Sequence, residues 1–135
     1  MKLPHTYKNK MNKSIETENA PKPIGPYSQA ICNGNLVWVS GCIALNASSG
    51  EMVQANISEE THAVMRNLKA IVEASGSSMA KIVKTSIFLT DMSQFSVVNE
   101  IYGQYFISPY PARETVQVSA LPKGANVEIS CMACL

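Results

Sequence analysis

Several things are scarce in this 135-residue sequence, and each shortage excludes something. Histidine occurs only twice, as His5 and His62, too few for a zinc site of ordinary ligand spacing. Charge of one sign is lacking: 11 basic against 10 acidic residues leave a formal net charge of +1, with no general attraction to phosphate backbones or anionic lipid. Nucleic acid is therefore not the expected partner. No apolar run is long enough to cross a bilayer, so no membrane partner is expected either. Internal repeats and low-complexity tracts are missing, and the length suits one domain with one core. Acidic residues are absent before Glu16, and the opening "MKLPHTYKNKMNK" has no apolar stretch for a secretory signal and almost none of the arginine and serine of a transit peptide. We expect a flexible tail over residues 1–13 and a folded domain over 14–135.

Four cysteines are present: Cys32, Cys42, Cys131 and Cys134. The last two have CxxC spacing, but they lie in a run that reads as a β-strand, where such side chains diverge to opposite faces. Buried, unpaired thiols are the expectation. They imply a reducing compartment, the cytoplasm, with the mitochondrion as the alternative.

Periodicity supplies the elements. "SQAICNGNLVWVS" places Asn33-Gly34 between apolar runs, a hairpin signal. A short strand is expected from Cys42 to Leu45. In "NISEETHAVMRNLKAIVEASG" the period changes: Val64, Leu68, Ile71 and Val72 share a helical face, Asn56 or Ser58 can cap the start, and Gly76 can end it. His62, among polar helix residues, is expected in solvent. "KIVKTSIFLT" reads as a strand, and "SQFSVVNEIYGQYF" as a helix with Phe95, Val98, Ile101, Tyr102 and Tyr105 inward, halted by Pro109. "YPARETVQVSALPKGANVEIS" reads as a closing hairpin. The expected class is α+β, a mixed sheet with two helices on one face.

Two of the strands are apolar on both alternations: Leu36 and Trp38 oppose Val37 and Val39, and 82–90 behaves likewise. Such a sheet must be covered on both sides, and no third helix exists for the second side. Self-association fits, with a binding cleft between identical subunits.

The closing segment carries charges amid apolar residues. If Val116, Val118 and Ala120 of one strand, and Val127 and Ile129 of the next, pack beneath the helices, then Arg113, Thr115 and Glu128 emerge together on the other face. Glu128 would lie nearer Gln117 than Arg113. A structural ion pair and a ligand site both fit that arrangement.

"ENAPKPIGPYSQA", "VWVSG", "VKTSIFLTDMSQFSVVNEIY" and "YPARETVQVSALPKGANVEIS", in this order, resemble the Rid, or YjgF-type, family of reactive imine deaminases. The resemblance implies a chorismate-mutase-like fold of the bacillus type, a homotrimer with a central barrel, and clefts between subunits. It implies hydrolysis of 2-aminoacrylate and 2-iminobutanoate to 2-keto acids and ammonia, with no cofactor and no metal. By similarity Arg113 grips the substrate carboxylate, Glu128 orients water, and Tyr27 completes the catalytic set. Ser40, Gly41, Phe95, Asn99 and Thr115 match positions that bind substrate.

These residue types suit the chemistry. Guanidinium is a planar two-pronged donor for carboxylate. The imine carbon is already electrophilic, so oriented water suffices without a covalent nucleophile. Each position also has a plainer reading: Tyr27 packs at a strand start, Asn99 caps or solvates a helix, Phe95 fills the core, and Gly41 permits a bulge. Two positions depart from the family pattern. Thr115 stands where cysteine is frequent, and Ser130 where a second acid is frequent. The alternative functions are a non-catalytic, small-carboxylate-binding regulatory trimer and RNA cleavage with translation inhibition.

Overall fold

The computed structural model describes residues 11–135. Six strands form one mixed sheet in the order β1-β2-β3-β6-β4-β5, with β1 Lys13–Ile15, β2 Ala30–Asn33, β3 Leu36–Cys42, β4 Ile82–Leu89, β5 Ala112–Gln117 and β6 Val127–Cys134. Two helices, α1 Ile57–Ala74 and α2 Phe95–Gly103, pack against each other, and α1 also lies on β3 and β6. Of the expected tail, residues 1–10 lie outside the described residues, and Lys13 already pairs with Cys32.

Local chemistry explains the elements. Asn56 caps α1, its side chain accepting from the Glu59 N–H at 2.8 Å, and Glu59 and Glu60 occupy the first turn. The stripe Val64, Leu68, Ile71 and Val72 is buried as the period requires. β2 and β3 form the expected hairpin, with Gly34 and Asn35 as the turn and Gly34 supplying a positive φ of 58°. The separate strand at Cys42–Leu45 does not form. Instead β3 runs through to Cys42, and Leu45 makes a lone bridge to Met52.

The closing hairpin does not form either. α2 crosses from the end of β4 back to its start, which delivers β5 parallel to β4, with Thr85 opposite Arg113. The chain then turns through Pro122–Gly124 and lays β6 antiparallel along the other edge of β4, with Phe88 opposite Glu128. β5 and β6 are neighbours in sequence and are separated by β4 in space.

Thr85, Ile87, Leu89, Val127, Ile129, Val37 and Val39 are buried on the helix-covered face. On the other face stand Leu36, Trp38, Phe88, Val116 and Met132, with Trp38 and Val116 each 40% exposed. No helix of the described residues covers them. Among the described residues, no helix is long and apolar enough to cross a membrane. All four cysteines are free, and Cys131 and Cys134 do diverge, the first into the core and the second toward the uncovered face.

Candidate active site in two halves

The first half is built on β5 and α2. Arg113 Nη1 donates to Asn99 Oδ1 at 2.7 Å, which orients the guanidinium. Its central carbon lies 5.0 Å from the Tyr102 ring centre and 5.7 Å from that of Phe95, so two aromatic faces flank the charge. Tyr102 is itself anchored: its hydroxyl shares a 2.7 Å hydrogen bond with the buried Thr85 hydroxyl, and burial pushes its pKa up. Among the described residues, no carboxylate lies within 4 Å of Arg113. Asn99, Tyr102, Gly103, Tyr110, Pro111 and Arg113 line a pocket of about 510 Å³. Thr115, two residues along and opposite Ile87, shares this face, and its Oγ1 is buried without a hydrogen-bond partner.

The second half surrounds Glu128. Val39 pairs with Cys131 but Cys42 with Ile129, so β3 carries one extra residue at Ser40-Gly41, a bulge. The bulge turns a side-chain-free position toward Glu128, whose carboxylate fills the space that a Cβ of Gly41 would take. Partial burial raises the Glu128 pKa above the ordinary carboxylate value. Ser40 Oγ donates to the Ser28 carbonyl at 2.6 Å. Tyr27 is half exposed, and its hydroxyl accepts from the Ile24 N–H at 3.3 Å. Tyr27, Ser40, Gly41 and Glu128 line one pocket of about 500 Å³, with Lys22 and Lys123 also on its wall.

The halves do not meet within one chain. Arg113 and Thr115 lie on the helix-covered face and Glu128 on the opposite one, which corrects the expectation that all three emerge together. The two pockets share no lining residue. Gln117, opposite Leu89, is nearer along β4 to the level of Glu128 than Arg113 is, as expected, but it stands on the helix-covered face, its Oε1 accepting from the Met92 N–H. The reason is Val116. Its face is the apolar one of β5, but it joins Phe88 on the uncovered side, which is apolar too.

Sequence reasoning missed other contributors. Gln29 is buried and ties the strap before Tyr27 in place: its amide nitrogen donates to the carbonyls of Thr17, Ala20 and Pro21, and its oxygen accepts from the Thr17 N–H. Tyr102 was legible as an inward residue but not as a wall for Arg113. His62 is not simply solvated, because its Nδ1 lies 2.8 Å from the Tyr105 hydroxyl. Among the described residues, no group of three or more His, Cys, Asp or Glu side chains is placed to hold a metal ion.

The family model described as "Endoribonuclease L-PSP" matches residues 17–135. This chain belongs to the Rid, or YjgF-type, family. Among Rid-family relatives, the 2-iminobutanoate/2-iminopropanoate deaminase of Homo sapiens is 44% identical over 119 residues, covering 88% of this chain and 87% of the relative. The protein of the same name from Dermatophagoides farinae is 48% identical over 115 residues, covering 85% and 90%. The crystal structure of a Rid-family protein from Yersinia pestis superposes with a TM-score of 0.89 at 47% identity, covering 92% of this chain and 99% of that one. Both halves of the site fall inside the family match.

Proposed function

We propose that this chain hydrolyses small 2-imino and enamino acids, such as 2-iminobutanoate and 2-aminoacrylate, to 2-keto acids and ammonia. The observation that carries the reading is Arg113, a guanidinium held by Asn99, flanked by two rings and left without a carboxylate of its own. Such a group suits the carboxylate of a 2-imino acid. The deaminase names of the human and mite relatives point the same way.

In this reading the site is complete only when copies associate, as a homotrimer, and the Arg113 pocket of one copy faces the Glu128 pocket of the next. The uncovered apolar face, with Trp38, Phe88 and Val116, supports association of this kind. Arg113, Asn99, Phe95 and Thr115 bind the substrate from one copy. Glu128, Tyr27, Ser40 and Gly41 serve it from the other. Ionised Glu128 accepts a proton from water as the oxygen adds to the imine carbon. The resulting tetrahedral carbon expels ammonia once its nitrogen is protonated, leaving the keto acid, so one water is consumed for each ammonia released.

The test couples a threonine dehydratase to this protein and follows keto-acid release. Arg113→Ala and Glu128→Gln should each remove the acceleration, whereas unchanged rates in both would overturn the mechanism. Tight 2-ketobutyrate binding without turnover would replace the enzyme reading with a regulatory one. Salt-sensitive RNA cleavage that survives Glu128→Gln would replace it with the nuclease reading.

A further inference from the structure

We propose that Gly103 is a specificity-determining residue, kept small so that the Arg113 pocket accepts 2-imino acids with bulky apolar or aromatic side chains. The inference rests on the reading of Arg113 as the carboxylate anchor.

Gly103 has no backbone reason to be glycine. Five of the seven glycines adopt a positive φ, and a sixth, Gly41, faces the Glu128 carboxylate. Gly103 has neither constraint: it is the last residue of α2, its φ is not positive, and a Cβ added there would meet nothing within 4 Å. Nor does it act as a left-handed helix stop, because Gln104 after it is still right-handed, with φ −68° and ψ −18°. Glycine leaves more backbone freedom to be lost on folding than alanine would, and no local conformation at Gly103 requires it.

The requirement lies in the space in front of Gly103. Gly103 lines the same pocket as Arg113, beside Tyr102, Tyr110 and Pro111. On one chain this pocket is a half-open concavity of about 510 Å³, and Gly103 leaves its own part of that wall without a side chain. A 2-imino acid has three substituents on its reacting carbon. The carboxylate goes to Arg113 and the C=N group must face the water-activating half. The side chain is left for the wall made by Gly103, Tyr110 and Pro111.

That wall selects by chemistry as well as size. Two tyrosine rings and a proline offer apolar and aromatic surface, and among the described residues of the chain Arg113 is the only charged side chain lining the pocket. Tyr102 holds its place through the Thr85 hydroxyl, so the surface it presents is fixed. Branched aliphatic and aromatic side chains therefore fit against this wall.

The test compares wild type, Gly103→Ala and Gly103→Leu, with imines generated by an amino-acid oxidase from alanine, leucine and phenylalanine. In Gly103→Leu, the ratio of kcat/KM for the alanine-derived imine to that for the phenylalanine-derived imine should rise at least tenfold, within the range that one or two methylenes command in a pocket. In Gly103→Ala the ratio should rise less, while Tm increases by about 1–4 °C as backbone freedom is removed from the unfolded chain. An unchanged ratio in Gly103→Leu overturns the inference. Calorimetry with 2-ketobutyrate and 4-methyl-2-oxopentanoate separates it from the deaminase reading. If wild type turns over no imine, the deaminase reading fails. Selective loss of the larger keto acid in Gly103→Leu would then still uphold the role of Gly103, and equal loss of both acids would reject it.

Discussion

Glu128 and Gly41 are packed against each other across the β3–β6 pair, the carboxylate occupying the place of the missing Cβ. Gly41 is exposed and has no positive φ, so alanine there leaves the backbone unstrained and acts on Glu128 alone. Gly41→Ala should displace the carboxylate and lower kcat/KM for 2-iminobutanoate by about 10²-fold, the scale of a 1 Å misplacement. The double variant Gly41→Ala/Glu128→Gln should be no slower than Glu128→Gln, because both changes remove one function. Additive losses in that cycle would show that Gly41 acts elsewhere.

Burial raises the pKa of Glu128, and this has opposite consequences for activity and stability. In the proposed role of base Glu128 works ionised, so kcat/KM should fall as pH drops through its raised pKa. For stability the sign reverses. Between the unfolded and folded pKa values the folded chain binds more protons, so stability declines as pH rises through that window. Glu128→Gln should therefore be inactive yet melt higher than wild type at pH 7. The difference in Tm should shrink toward zero as pH falls below the ordinary carboxylate pKa. A variant that melts lower than wild type at pH 7 would contradict this account.

How far the sequence could be read follows from where each kind of information resides. α1 was legible apart from the choice between Asn56 and Ser58 as its cap, because the Val64–Leu68–Ile71–Val72 stripe and Gly76 encode a local structure with a local period. The two-faced apolarity of β3 was legible for the same reason, and Trp38 does stand uncovered. The order of β4, β5 and β6 was not legible. Alternation along β5 fixes that Arg113 and Val116 oppose each other, but only the path of α2 decides which of them meets the helices. An apolar face normally goes under the helices; here the uncovered face also carries Trp38, Phe88, Val116 and Met132, alongside Lys84, Glu114 and Glu128, so the rule loses its power. The candidate residues could be named from the sequence, whereas their division between two faces was a property of strand order.

Arg113 donates to Asn99, the one side-chain hydrogen bond it makes among the described residues, which orients the proposed carboxylate anchor. Lysine at 113 keeps the charge but loses the fork and the stacking between Phe95 and Tyr102. Arg113→Lys should raise KM for 2-iminobutanoate by about 10–100-fold, the loss of one charge-assisted contact of roughly 1.5–3 kcal/mol. Asn99→Ala should raise KM by less, since the two rings still flank the guanidinium. Equal KM values for wild type and Arg113→Lys would mean that the carboxylate binds elsewhere.

Trp38 is the only tryptophan in the sequence, and it stands 40% exposed on the face no helix covers, opposite Met132. Its fluorescence therefore reports directly on whether another copy covers that face. At micromolar concentration the emission should be blue-shifted, and light scattering should give a multiple of 14.6 kDa. Trp38→Lys places an unpaired charge in the same apolar surface, which desolvation makes costly on association. If the site is assembled between copies as proposed, the variant should lose mass in scattering and deaminase activity together, while far-UV circular dichroism keeps the α+β signature. Full activity in a monomeric Trp38→Lys variant would require both halves to act within one chain, which the opposite faces of Arg113 and Glu128 do not allow.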